Sequence, residues 1–236
     1  MKKFTSLSLS RYLAELSSKN PVPGGGSASA YAGALGMGLA EMVARIGLKR
    51  ASAETKPVLQ QTIKALQKLR KNALQVVDLD PKVYGEVMAA YAKTRKLTDA
   101  VKKNHLIDEA LDNSFRLQAD LALLVAMAKE SLHSLEGLVT GSITNDLRVS
   151  RSLLGAAFRG SYETAKINMV YLKDSEKKAR AERALEELQK RFENGNSQHS
   201  GGGPGFARGL RSSTRPGLQA PGGWPSRARS LDKYIQ

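Results

Sequence analysis

Residues 20–40, NPVPGGGSASAYAGALGMGLA, set three glycines and a serine between a proline pair and a long run of alanine and glycine. Exposed backbone N–H groups in such a turn can meet an anion or a polar ring. A nucleotide-phosphate loop is a poor fit, because no strand pattern precedes Gly24, Gly25 and Gly26 and no lysine follows Ser27. The apolar run beyond is interrupted by Glu41 and Arg45, which makes it too short to cross a bilayer. The stretch predicts a turn capped by Ser27 that feeds a helix of very small side chains, among them Ala30, Gly33, Ala34, Gly36 and Gly38. Glycine costs helix propensity, and the compensation is close backbone approach to another helix or to a second subunit. Residue types limit the other chemistry. The chain has no cysteine, which excludes disulfides, thiolate metal sites and a cysteine nucleophile, and its histidines, His105, His133 and His199, are far apart in sequence. A metal would have to rest on carboxylates, and no metal site is expected.

The elements that must position these residues read as helices. Leu59, Ile63, Leu66, Leu69, Ala73 and Val76 recur at steps of three and four, as do Leu117, Leu121, Leu124, Ala128, Leu132 and Leu135, and then Leu154, Phe158, Tyr162, Ala165, Met169 and Leu172. Start signals fall at Pro57, Thr98, Asn145 and Ser175. No segment alternates with period two. The fold class expected is all-α, an antiparallel bundle of long helices. The first residues, MKKFTSLSLSRYLAEL, hold no apolar stretch long enough for a signal peptide and read as a helix, so a cytoplasmic protein is expected.

The formal net charge of +15 raises the question of a polyanionic partner. Six Lys or Arg against one Asp lie beyond Asn194, in a stretch rich in Gly, Pro, Ser and Arg without apolar period. Such a composition cannot offset its ordering entropy by burial. The expected organisation is a helical domain over 1–195 and a disordered basic tail over 196–236. Nucleic acid could bind through that tail, although its aromatic interleaving is limited to Phe206, Trp224 and Tyr234.

Pro23-Gly24-Gly25-Gly26-Ser27, followed by the small-residue helix to Met42, Val43 and Ala44, resembles the start of the cyclodeaminase domain of formiminotransferase-cyclodeaminase and of its stand-alone bacterial relatives. That family carries an Asp-x-Asp followed by an aromatic, matched by Asp78, Asp80 and Tyr84. Its Ser-Asp-x-x-Val is matched by Asn145, Asp146 and Val149, and its later Ile-Asn-Leu by Ile167, Asn168 and Met169. The matches keep the family's order over most of residues 7–175. Lys93, Thr94 and Arg95 stand where the family has Leu-Pro-Lys, and Thr164 stands where a late asparagine is usual.

The resemblance implies folate one-carbon interconversion: cyclising 5-formiminotetrahydrofolate to 5,10-methenyltetrahydrofolate with release of ammonia, or hydrolysing the methenyl compound. Both reactions move a proton to or from a nitrogen and stabilise an amidinium-like cation. A carboxylate can do both, with the tetrahydrofolate derivative as substrate and no cofactor. Asp78 and Asp80 are the implied catalytic residues, and repulsion between them in one pocket would raise one pKa. Gly24, Gly25, Gly26, Ser27, Asp146 and Asn168 are the implied substrate-binding residues, with Lys49 and Arg50 for the glutamate tail. A homodimer built on the small-residue helix is expected, and no membrane partner.

Each residue has a plainer reading. Asp80 before Pro81 is the pattern of a helix N-cap. Asp146 sits in a first helical turn, where the dipole favours a carboxylate, and Lys49 and Arg50 suit a helix C-terminus. Asn168 falls on an apolar stripe and needs a hydrogen-bond partner. Asp146 and Asn168 are about 33 Å apart along one helix and cannot share a small site within one subunit. The alternative function is a catalytically silent basic helical protein binding RNA or another polyanion.

Overall fold

A computed structural model describes residues 3–194; the proposed tail at 196–236 lies outside the described residues. A single 3-10 turn, Phe4–Ser6, precedes six helices: α1 (Leu9–Leu16), α2 (Gly25–Leu48), α3 (Lys56–Thr94), α4 (Ala100–His133), α5 (Thr144–Val170) and α6 (Ser175–Asn194). No strand occurs among the described residues. Helices α2 to α5 form a ring in which each packs on its two neighbours, and α6 lies across α4 and α5. Successive members run antiparallel: Glu41 of α2 meets Arg70 of α3, Ser150 of α5 donates to the Gly36 carbonyl of α2, and Asp108 near the start of α4 takes the N–H groups of Lys173 and Asp174 after α5.

The stripes expected from the sequence are the core. Leu59, Leu66, Leu117, Leu121, Leu132, Leu154 and Phe158 are all essentially inaccessible. The small residues of α2 permit close approach inside the chain itself. A Cβ on Gly36 would sit 3.0 Å from Leu154 of α5, and one on Gly47 would sit 2.6 Å from Val139.

Several boundaries differ from expectation. Pro57 lies in the first turn of α3, as its signal predicts. The cap of α4 is Asp99 in place of Thr98, since Asp99 Oδ1 takes the N–H groups of Val101 and Lys102. Helix α5 begins one residue before Asn145. Asp174, and not Ser175, takes the first free N–H groups of α6. The far end of α6 is clamped, with the Lys129 ammonium donating to the Phe192 carbonyl and Phe192 stacked on Phe158 at 3.9 Å.

Candidate active site

Pro81 organises the site through a hydrogen bond it cannot make. Helix α3 continues through it, so Asp80 is interior to α3 and is not the N-cap of its own helix; this corrects the N-cap reading. Pro81 has no N–H, which leaves the Val77 carbonyl one turn back without its helical donor. The Ser27 hydroxyl of α2 supplies that donor at 3.0 Å. With its proton committed to Val77, Ser27 Oγ accepts the Tyr12 hydroxyl of α1 at 3.1 Å. Ser27 is therefore not the cap of α2, which begins at Gly25 with Gly24 at the N-cap. The chain enters this corner through a cis Val22–Pro23 peptide.

The Ser27 backbone N–H is one of the donors a helix start leaves free. It points at Asp80 Oδ2, 3.0 Å away. Gln118 Nε2 of α4 donates to the other oxygen, Oδ1, at 2.7 Å. A carboxylate on α3 thus caps α2 and is held from the opposite side by a fully buried amide. Burial pushes the Asp80 carboxyl above its ordinary range, and the Ser27 N–H and the Gln118 amide, which favour the charged form, oppose that rise. Burial likewise raises the Tyr12 hydroxyl. Gly26 lets the three helices meet: a Cβ there would lie 2.1 Å from Gln118 Nε2 and 2.2 Å from Asp80 Oδ1.

Asp78 faces elsewhere. Two residues along a helix turn a side chain by about 200°, and Asp78 looks onto the N-terminal segment. Its Oδ1 accepts the Phe4 N–H at 2.6 Å and the Thr5 N–H at 3.1 Å, and its Oδ2 accepts the Thr5 hydroxyl. Tyr31 donates to the Phe4 carbonyl, and its ring meets the Tyr12 ring edge-on at 4.5 Å. The expected carboxylate pair in one pocket does not form: desolvation raises the Asp80 pKa, and Asp78 pins the chain start.

The other sequence candidates divide between the two ends of the bundle. Gly25 meets Thr164 of α5, a Cβ there lying 3.8 Å from Thr164 Oγ1. Asn168, one turn further on and half-buried, donates its amide to the Thr164 carbonyl at 2.7 Å. These residues share the Asp80 end. Lys49 and Arg50 are exposed at the other end of α2, about 33 Å from Ser27 along the helix axis, and Asp146 lies in the first turn of α5, also remote from Asp80. Within one chain they do not join Gly24 to Ser27. Gln118 and Tyr12 were missed by sequence reasoning; the only signal was a polar Gln inside the apolar run that surrounds it. No group of three or more His, Asp or Glu among the described residues is placed to hold a metal ion.

Residues 8–187 match the family described as formiminotransferase-cyclodeaminase. The chain belongs to that family. Among relatives, it is 30% identical over 127 residues to a methenyltetrahydrofolate cyclohydrolase of Methylorubrum extorquens, covering 49% of this chain and 61% of that one. It is 25% identical over 183 residues to the formimidoyltransferase-cyclodeaminase of Gallus gallus, covering 76% of this chain and 34% of that one. The chain thus spans less than two thirds of either relative. A formiminotetrahydrofolate cyclodeaminase structure from Thermotoga maritima shares the fold, with a TM-score of 0.73 at 21% identity over 80% of this chain and 92% of that one. None of these relatives supports the alternative of a silent polyanion-binding protein. No described helix is long and apolar enough to cross a membrane.

Proposed function

We propose that this family member interconverts folate one-carbon units, cyclising 5-formiminotetrahydrofolate to 5,10-methenyltetrahydrofolate with loss of ammonia, or hydrolysing the methenyl compound. The observation that carries the reading is Asp80: a carboxylate at the junction of α2, α3 and α4, oriented by Ser27 and Gln118, with its pKa raised by burial. In cyclodeamination, N10 attacks the carbon of the protonated formimino group on N5 and loses its proton, while the departing nitrogen, already –NH2 in the adduct, gains one and leaves as ammonia. One carboxylate can take the first proton and return it to the leaving amine, after which its negative charge faces the methenyl cation. In hydrolysis the same group takes a proton from the attacking water and passes it to the ring nitrogen that leaves, and the second water proton goes to solvent as the formyl C=O forms. The chemistry rests on the folate substrate and this carboxylate, with no cofactor.

Asp80→Asn tests the assignment, because it keeps shape and removes the charge. Turnover followed by the near-ultraviolet absorbance of methenyl-folate should fall about a hundred- to ten-thousand-fold, with folate binding retained. Normal turnover would show that another group moves the proton.

The same reading includes a homodimer working in the cytoplasm. The outer side of α2 opens on a groove of about 1340 Å³, lined by Leu35, Gly38, Met42, Ile46, Leu74 and Leu153. Leu35 is 55% exposed and Met42 39%. A two-fold axis across this groove sets two α2 helices antiparallel and carries Lys49 and Arg50 of one copy toward the Tyr31 end of the other. A monomer in sedimentation at micromolar concentration would exclude it.

A further inference from the structure

The stripe of α3 that carries Asp80 continues past the point where α2 begins. Ala73 and Val77, on that stripe, are fully buried beside α2. Beyond Asp80, α3 extends for about another 21 Å with no α2 alongside. Tyr84, Met88 and Tyr91 follow Asp80 at steps of four, four and three, so they share its face. They are 37%, 42% and 36% exposed. Arg95 is the next residue on the face; it keeps helical backbone angles, is exposed, and has no carboxylate paired with it among the described residues. Helix α5 also overruns α2, and past Thr164 the same spacing presents Asn168 and Tyr171, the latter 54% exposed. At the inner end of this face the start of α2 meets Asp80 and Gln118.

We propose that Tyr84, Met88, Tyr91 and Arg95 form a ladder that holds the aryl-glutamate arm of the folate, with Arg95 on its carboxylates. The proposal rests on the folate reading above. Read outward from Asp80, the face offers a carboxylate, then aromatic and apolar surface about 6, 12 and 17 Å along, then a cation about 23 Å along. Side chains lean toward the N-terminus of their helix, so Arg95 reaches back over Tyr91. A reduced folate has the matching order: a carbon that becomes cationic, an aryl ring, then carboxylates. With the reacting carbon at Asp80, only one direction along α3 puts the ring on the tyrosines and the carboxylates on a guanidinium. Lys49 and Arg50 lie about 33 Å the other way from Ser27 and do not serve this arm within one chain. A second copy of the chain is the competing occupant.

The test is equilibrium binding of 5-formyltetrahydrofolate and of its pteroate counterpart, which lacks the glutamate, to the full chain and to Arg95→Gln and Met88→Asp, with sedimentation of each. Arg95→Gln should weaken the glutamylated ligand about tenfold and leave binding of the pteroate ligand unchanged. Met88→Asp should weaken both ligands. Equal effects of Arg95→Gln on the two ligands, or none, would overturn the ladder, and so would a smaller sedimenting species for Met88→Asp, which would make the face a subunit contact. If the wild-type chain binds the folate without turning it over, the catalytic reading fails while the Arg95 difference still decides the ladder. If it binds neither ligand, both fall.

Discussion

Gly26→Ala places one methyl group where Asp80, Gln118 and the start of α2 converge. The added Cβ would lie 2.1 Å from Gln118 Nε2, 2.2 Å from Asp80 Oδ1 and 2.8 Å from Asp80 Cγ, far inside contact distance, so either α2 moves or the Gln118–Asp80 hydrogen bond breaks. Overpacking costs about 1–3 kcal/mol, and a lost hydrogen bond to a charged group costs about 1.5–3 kcal/mol. The gain in helix propensity returns at most about 1 kcal/mol. The net expectation is a loss of about 1–3 kcal/mol, which for a domain of this size lowers Tm by about 2–12 °C. Gly85→Ala is the matched control, because a Cβ on Gly85 meets nothing within 4 Å; it should raise Tm by a few degrees, about 2–4 °C per kcal/mol gained. Thermal melts by circular dichroism, with turnover measured on the same samples, read both. A Gly26→Ala protein that melts with the wild type and turns over normally would show that the three helices do not meet as described.

Asp78→Ala should release the chain start without removing the chemistry: stability falls by about 1–3 kcal/mol, amide exchange at Phe4 and Thr5 accelerates, and turnover does not show the hundredfold loss expected of Asp80→Asn. A loss as large as that of Asp80→Asn would return Asp78 to the proton transfer. For Asp80 the sign of the pH dependence follows from its raised carboxyl. Between the ordinary value of 3.8 and the folded value, the native state holds a proton that the unfolded state has lost, so this group's contribution to stability falls as pH rises through that window. Asp80→Asn removes that slope, and its stability relative to wild type, from urea melts at a series of pH values, should climb through the window and then level off. A relative stability that declines there would refute a carboxyl held above its ordinary range.

The sequence by itself determined the helices, most of the core and the family. Apolar residues at steps of three and four mark the buried face of a helix wherever it packs, and Leu66, Leu121 and Leu154 are buried for that reason. The order of the Gly-Gly-Gly-Ser, Asp-x-Asp and Ile-Asn motifs needed no geometry to be recognised. Which carboxylate could do chemistry was a different matter. Asp78 and Asp80 read alike in sequence; the unbroken helix through Pro81, where Ser27 fills the donor that Pro81 lacks, sets them about 200° apart, and the packing of α4 and of the N-terminal segment puts Gln118 beside one and Phe4 and Thr5 beside the other. A proline that reads as a helix start lies inside a helix because another helix satisfies the carbonyl it leaves free. Lys49 and Arg50 are near Ser27 in sequence, yet a helix converts that interval into about 33 Å. Arg95 is distant in sequence, and the overrun of α3 past α2 aligns it with Asp80 on one open face. Local periodicity fixes a side chain's angle around its own helix, and only the packing of one helix against another decides what that side chain meets.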